Sequence, residues 1–300
     1  AFYRPNNWIK IDSKTYIREN GKEEKLIIKG AEGIELDKEF YMLESGEASF
    51  KLIFPAINKN TAKIDFIESD CDGCFKIWGI YLDGKPAKTQ LPPSVLVTTL
   101  QATQPLPKPE IKKGSAILSG QIFGNIPSEP KYQLLTTQVA NIITGEEEEY
   151  WIPIGKDGKF SIEIPVLTPT ITYLDSHYYS GRIYLIPGET TELYVDANKM
   201  CMNQSRYHCK SEKTNSMEHA YIKGSLNLSA TGLNKLDVIY QMINRRKMLN
   251  DVYNMNPEDY KTYLLQNMSN YLQSIKEDKS MSVNIQEIMY TDIKLYILLQ

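Results

Sequence analysis

The 300 residues carry 34 Lys and Arg against 37 Asp and Glu, a formal net charge of −3, with 42% hydrophobic and 24% charged side chains. That balance supplies a buried core and a length of roughly two domains, and it excludes a disordered or collagen-like chain. It also argues against nucleic acid as a partner, which needs a concentrated basic surface, and no apolar run reaches the ~18 residues of a membrane helix.

Residues 1–91 read as a β-sandwich domain. Trp8–Ile11, Thr15–Arg18, Lys25–Lys29, Glu39–Leu43, Ala48–Phe54, Ala62–Ile67 and Phe75–Leu82 are short and rich in β-branched and aromatic residues. Turn signals at Glu19-Asn20-Gly21, Glu44-Ser45-Gly46 and Asp83-Gly84 divide them. Residues 92–113 hold Pro92, Pro93, Pro105, Pro107 and Pro109, and predict a semi-rigid linker.

Residues 114–200 predict a second β-sandwich-like domain, with strands at Ala116–Phe123, Lys131–Thr137, Glu148–Ile154, Lys159–Ile164, Thr170–Tyr173, Arg182–Ile186 and Thr191–Val195. Asp157-Gly158 has the composition of a tight hairpin turn. From 201 to 300 the hydrophobic period changes to that of helix. Leu236, Ile239, Ile243, Leu249 and Tyr253 follow one helical face, Asn256-Pro257 opens a second helix, and Asn284 with Glu287 predicts the start of a third. The last helix runs to Gln300 without a stop signal, so a longer native chain is expected. The fold class is therefore mainly β with a C-terminal α region: two β-sandwich-like, Ig-like domains followed by a helical segment.

Ser119-Gly120-Gln121-Ile122, Asp157 to Ile162, Tyr184 to Glu189, Leu193 to Asp196 and Ile222-Lys223-Gly224-Ser225 carry a resemblance. In this order they resemble the β-rich N-terminal domain that precedes the thioredoxin-like domain in TlpA/ResA-like thiol-disulfide oxidoreductases of the Bacteroidetes type. The first region is similar to an extra β-sandwich of some relatives, through Phe50 to Pro55 and Ile64 to Glu68. The family's chemistry lies in a Trp-Cys-x-x-Cys motif of the thioredoxin-like domain, which these residues lack, so no catalytic residue is carried over. The resemblance implies an accessory module, exported to the periplasm or held on an envelope membrane, with any signal peptide removed before Ala1. Its expected partner is a C-terminal thioredoxin-like domain or another envelope protein.

Four cysteines form two locally spaced pairs, Cys71 with Cys74 and Cys201 with Cys209, which fits an oxidising compartment. Cys71-Asp72-Gly73-Cys74 has the spacing of a dithiol pair, but the following Phe75 to Ile80 reads as a strand, so no helix N-terminus lowers a thiol pKa. Asp70 and Asp72 would raise it. A structural disulfide, a labile redox pair and half of a metal site are the open readings. Local disulfides are expected in both pairs, and no metal or cofactor is expected. His208 and His219 near Cys209 match no zinc spacing. Glu146 to Glu149 reads as a solvated hairpin tip.

The chain has 20 Tyr. Tyr173, His177, Tyr178 and Tyr179 cluster near one loop and are candidate ligand contacts, since aromatic platforms grip sugars and peptides. Three functions follow: a non-catalytic envelope module that positions a thioredoxin-like domain, an adhesion or glycan-binding protein, and a dithiol oxidoreductase acting through Cys71 and Cys74.

Overall fold

The computed structural model describes residues 1, 3–71, 73–85, 89–96, 106–127, 129–204, 217–224, 233, 245–279 and 281–298. The chain is mainly β, in open, sandwich-like sheets, with a C-terminal helical region. It forms two compact units: Ala1–Thr89 with Asn198–Met217, and Gln90–Ala197 with Glu218–Gln300.

In the first unit, β2 (Tyr16–Glu19) and β7 (Lys63–Ile67) are the inner strands of a four-stranded sheet. β3 (Leu26–Ile27) and β8 (Lys76–Tyr81) form its edges. Two small antiparallel pairs accompany it. One joins β1 (Trp8–Ile9) to β5 (Phe40–Tyr41), and the other joins β4 (Gly30–Glu32) to β6 (Lys51–Ile53). Tyr16, Ile17, Ile28, Ile34, Met42 and Ile67 are buried. The buried Glu19 carboxylate is held by Lys22 at 2.8 Å, by the Thr61 hydroxyl, and by the backbone N–H of Asn58 at 3.2 Å.

The second unit is an eight-stranded sandwich. One sheet runs β12 (Lys159–Pro165), β9 (Ser115–Phe123), β15 (Thr190–Asp196), β16 (Ala220–Lys223). Its central pair, β9 and β15, is parallel, and the other two pairings are antiparallel. The facing sheet is wholly antiparallel: β11 (Glu147–Pro153), β10 (Leu134–Ala140), β13 (Thr170–Asp175), β14 (Ser180–Leu185). Alternate residues form the interior, as a two-residue period demands. Leu118, Ile164 and Leu193 come from one sheet and Leu135, Ile152, Leu174, Ile183 and Leu185 from the other, all 0% exposed. Each such side chain contributes about 1.5–3 kcal/mol by leaving water. The buried Thr137 and Thr172 hydroxyls are satisfied by each other at 3.1 Å and by the carbonyls of Tyr173 and Gln138.

Two glycines are demanded by this packing. A Cβ on Gly120 would collide with the Leu193 carbonyl oxygen and lie 2.7 Å from the Phe160 ring. Gly158 has φ +80°, and a Cβ there would meet the Ile122 carbonyl oxygen.

Several boundaries differ from the sequence expectation. Pro92 and Pro93 open a helical turn, α1 (Pro93–Leu96), which buries Val95 and packs against β16, because Pro is compatible with a helix start. Pro130 sets a 3₁₀ turn over Pro130–Tyr132, so β10 begins at Leu134 instead of Lys131. β15 continues into α2 (Ala197–Gln204), and β16 lies inside the stretch expected to be helical.

Of the first expected helix, α3 (Arg245–Val252) is described, whereas Leu236, Ile239 and Ile243 lie outside the described residues. Tyr253 follows α3 and is 88% exposed, off the expected apolar face. Asn256 caps α4 (Pro257–Glu277) as expected, its side chain accepting the Asp259 N–H at 2.9 Å. The last helix, α5 (Val283–Leu298), starts before Asn284, which is itself buried. Ser282 stands at its N-terminus instead and accepts the Gln286 N–H through its carbonyl at 3.0 Å. α4 and α5 pack together, and Leu264, Ile275, Ile285, Met289 and Ile293 on them are buried. Gln286 closes the end of α4 by donating to the carbonyls of Ile275 and Asp278.

Candidate functional site

The loop between β7 and β8 holds a disulfide between Cys71 and Cys74, with Cα atoms 5.3 Å apart. Cys71 is exposed and Cys74 half-buried. The hairpin closes below the bond by backbone pairing, Glu68 N–H to Phe75 O at 3.0 Å, and Phe75 N–H donates to the Glu68 carboxylate at 2.9 Å. Asp70 is anchored to the sheet: it accepts the Tyr16 hydroxyl at 2.8 Å and Lys25 at 2.6 Å. The Lys25 ammonium also lies 4.9 Å from the Tyr16 ring centre. The Lys25 bond, then the Tyr16 bond, holds the Asp70 carboxyl below its usual range. Asp72 lies outside the described residues. The helix N-terminus that would activate a thiolate is missing from this hairpin, as its strand-like sequence predicts.

The second expected pair is only half described. Cys201 is a free, exposed thiol on α2, pushed up by partial desolvation, and Cys209 and His208 lie outside the described residues. The expected Cys201–Cys209 bridge therefore falls on a partner outside the described residues. His219 lies just before β16, where its carbonyl accepts the Asp196 N–H at 2.7 Å. Among the described residues no group of three or more His, Cys, Asp or Glu side chains could hold a metal ion.

The tyrosine cluster separates into two classes. Tyr178 and Tyr179 are 4% and 3% exposed, so they are not ligand contacts. They sit in the β13–β14 turn, where the Ser176 hydroxyl accepts both of their backbone N–H groups, and the Tyr179 hydroxyl donates to the Arg182 carbonyl at 2.7 Å. The turn therefore directs both rings inward. Tyr173 and His177 remain accessible. Tyr173 is 48% exposed on the outer face of β13 and bonds the Ser180 hydroxyl at 2.9 Å. His177 stacks on Tyr132 with ring centres 4.4 Å apart, and burial, then the nearby Lys131 charge, lowers its pKa.

Sequence reasoning missed Trp151, which is 59% exposed on the same outer face. Its signal was present: Trp151 precedes the fully buried Ile152 in β11, so strand alternation turns it outward. Trp151 pairs with Thr136, and Thr136 with Asp175; one row along, Glu149 pairs with Gln138, and Gln138 with Tyr173. Two strand spacings and one row put the Cα atoms of Trp151 and Tyr173 roughly 10–12 Å apart. Between them lies a polar floor that includes Thr136 and Gln138.

Glu146 to Glu149 are exposed on the β10–β11 hairpin as expected. Glu146 and Glu148 also border a cleft of about 560 Å³ at one end of the sandwich, beside Asn141, Tyr150 and Val166. Tyr150 donates to Glu148 at 2.7 Å, and burial together with that carboxylate pushes the phenol up to about 12. Among the described residues no helix is long and apolar enough to cross a membrane. Comparison with protein-family models, curated proteins and solved structures finds no match.

Proposed function

We propose that the chain is a non-catalytic module of the cell envelope that positions a thioredoxin-like thiol-disulfide oxidoreductase domain. One observation carries the reading: the described residues of the resemblance to the N-terminal domain, from Ser119 to Gly224, belong to one sandwich, where several of them serve packing. Gly120 lets β9 approach Leu193 of β15 and the Phe160 ring, and Gly158 forms the tight turn into β12. The Leu193 and Val195 side chains fill the interior, and Ile222 extends the sheet through β16. The Cys71–Cys74 disulfide supports an oxidising compartment. Intact mass and C-terminal peptide sequencing of the native polypeptide test the proposal. Continuation into a Trp-Cys-x-x-Cys segment that opens a helix is the expected result, and termination near Gln300 removes the reading.

A second reading, contact with a saccharide, is favoured by Trp151 and Tyr173, two exposed rings on one sheet face with polar side chains between them. Micromolar binding in a glycan array, lost in Trp151→Ala and Tyr173→Ala with unchanged melting temperatures, is its expected signature.

A further inference from the structure

We infer that the Cys71–Cys74 disulfide is an exchange site for a protein dithiol of the Cys-x-x-Cys kind, accepting its electrons without disturbing the fold. The inference does not rest on the proposed function, because it concerns this chain's own sulfurs and is tested on the chain as it stands.

Three observations carry it. First, the bond is redundant for the loop. The Glu68–Phe75 backbone pair, the Glu68 carboxylate on Phe75 N–H, and Asp70 fixed by Tyr16 and Lys25 hold the hairpin on both sides of the cysteines. A ring closed across so short a separation also removes little entropy from the unfolded chain.

Second, the bond is open to attack. Cys71 and Gly73 are exposed, and a Cβ built on Gly73 would have nothing within 4 Å. Exposed disulfides are the labile ones, whereas buried structural bonds resist reduction. The adjoining surface gives a partner somewhere to dock: Phe75, just before β8, and Ile77 on it, an edge strand of its sheet, are 61% and 42% exposed.

Third, the part of the repelling charge that Asp70 supplies is offset. Asp70 is paired with Lys25 and also feels Lys76.

The difference in exposure sets the direction of attack. A partner thiolate attacks Sγ of Cys71, the Cys71–Cys74 bond breaks, and Cys74 leaves as a thiolate that takes a proton from water. The partner's second thiol then attacks its own sulfur in the mixed disulfide and releases Cys71. Two electrons and two protons have moved, leaving the partner as a disulfide and the pair as two thiols.

The test uses the whole chain carrying Cys201→Ser and Cys209→Ser, which leaves one thiol pair to follow, with the unmodified chain in parallel. Each is mixed with equimolar reduced thioredoxin, quenched in acid, alkylated and mapped by mass spectrometry. Opening of the pair with thioredoxin oxidised, mixed disulfide on Cys71, and unchanged circular dichroism and melting temperature are expected. With dithiothreitol, opening in the native protein is expected within about tenfold of its rate in denaturant, as for an accessible disulfide. A pair that opens only in denaturant overturns the inference, as does unfolding on reduction. Mixed disulfide on Cys74 alone overturns the direction of attack.

Discussion

Two carboxylates shift in opposite senses, one through its hydrogen bonds and the other through burial, and each sets a pH dependence. Glu19 is drawn from its ordinary 4.5 down to about 2, chiefly by the Lys22 bond, then by Thr61 and Asn58. Its folded pKa lies below its unfolded value, so its stabilisation is present above the unfolded pKa and lost as pH falls toward about 2. Glu19→Gln is expected to lower the urea midpoint at pH 7, with the gap to the parent protein closing by pH 2. Asp292 on α5 is pushed up by burial, against the opposing pull of Arg182. Here the sign reverses: the folded pKa lies above the unfolded one, so stability present at low pH is lost as pH rises through the folded value. Asp292→Asn is expected to raise the urea midpoint at pH 7 and to leave it nearly unchanged below the unfolded pKa.

The sandwich and the α4–α5 pair are elements whose sequences announce themselves. Strands such as β12 and β15 alternate apolar and polar residues, and their turns carry Gly at positive φ, so both period and punctuation were legible. Leu174→Ala, which leaves a void between two fully packed sheets, is expected to cost about 2–5 kcal/mol in chemical denaturation. Asn256→Ala removes the bond to Asp259 N–H and is expected to cost about 1 kcal/mol, read from the thermal midpoint. Illegible elements were those fixed by distant partners. β4 exists because Gly30 to Glu32 finds Lys51 to Ile53, and β16 because β15 offers an edge, neither of which a local period records. The inward turn of Tyr178 and Tyr179 depends on Ser176, a side-chain-to-backbone tie invisible to composition. The Cys71–Cys74 bond was legible as a spacing; its exposure, which decides its chemistry, was not.

At the scale of the whole molecule, chain order and spatial order part company. The sequence suggests consecutive domains, yet Asn198–Met217 belongs with Ala1–Thr89, and the Asn198 side chain donates to the Thr89 hydroxyl at 2.7 Å. The chain therefore enters the first unit twice. Fragments 1–89 and 90–300, expressed together, are expected to copurify, and 1–89 alone is expected to unfold at a lower urea concentration than the same unit in the intact chain.

The parallel pairing of β9 with β15 carries a kinetic consequence. Ile117 meets Thr190 and Gln121 meets Tyr194 only after β10 to β14 have been made, so half of the sandwich closes on its most distant contact. Such pairing is slow, because the entropy of closing the loop is lost before any contact rewards it. Until β15 arrives, β9 offers a bare edge rich in Ile and Leu, a template for another chain's strand. The interval between synthesis of these two strands leaves that edge open to aggregation.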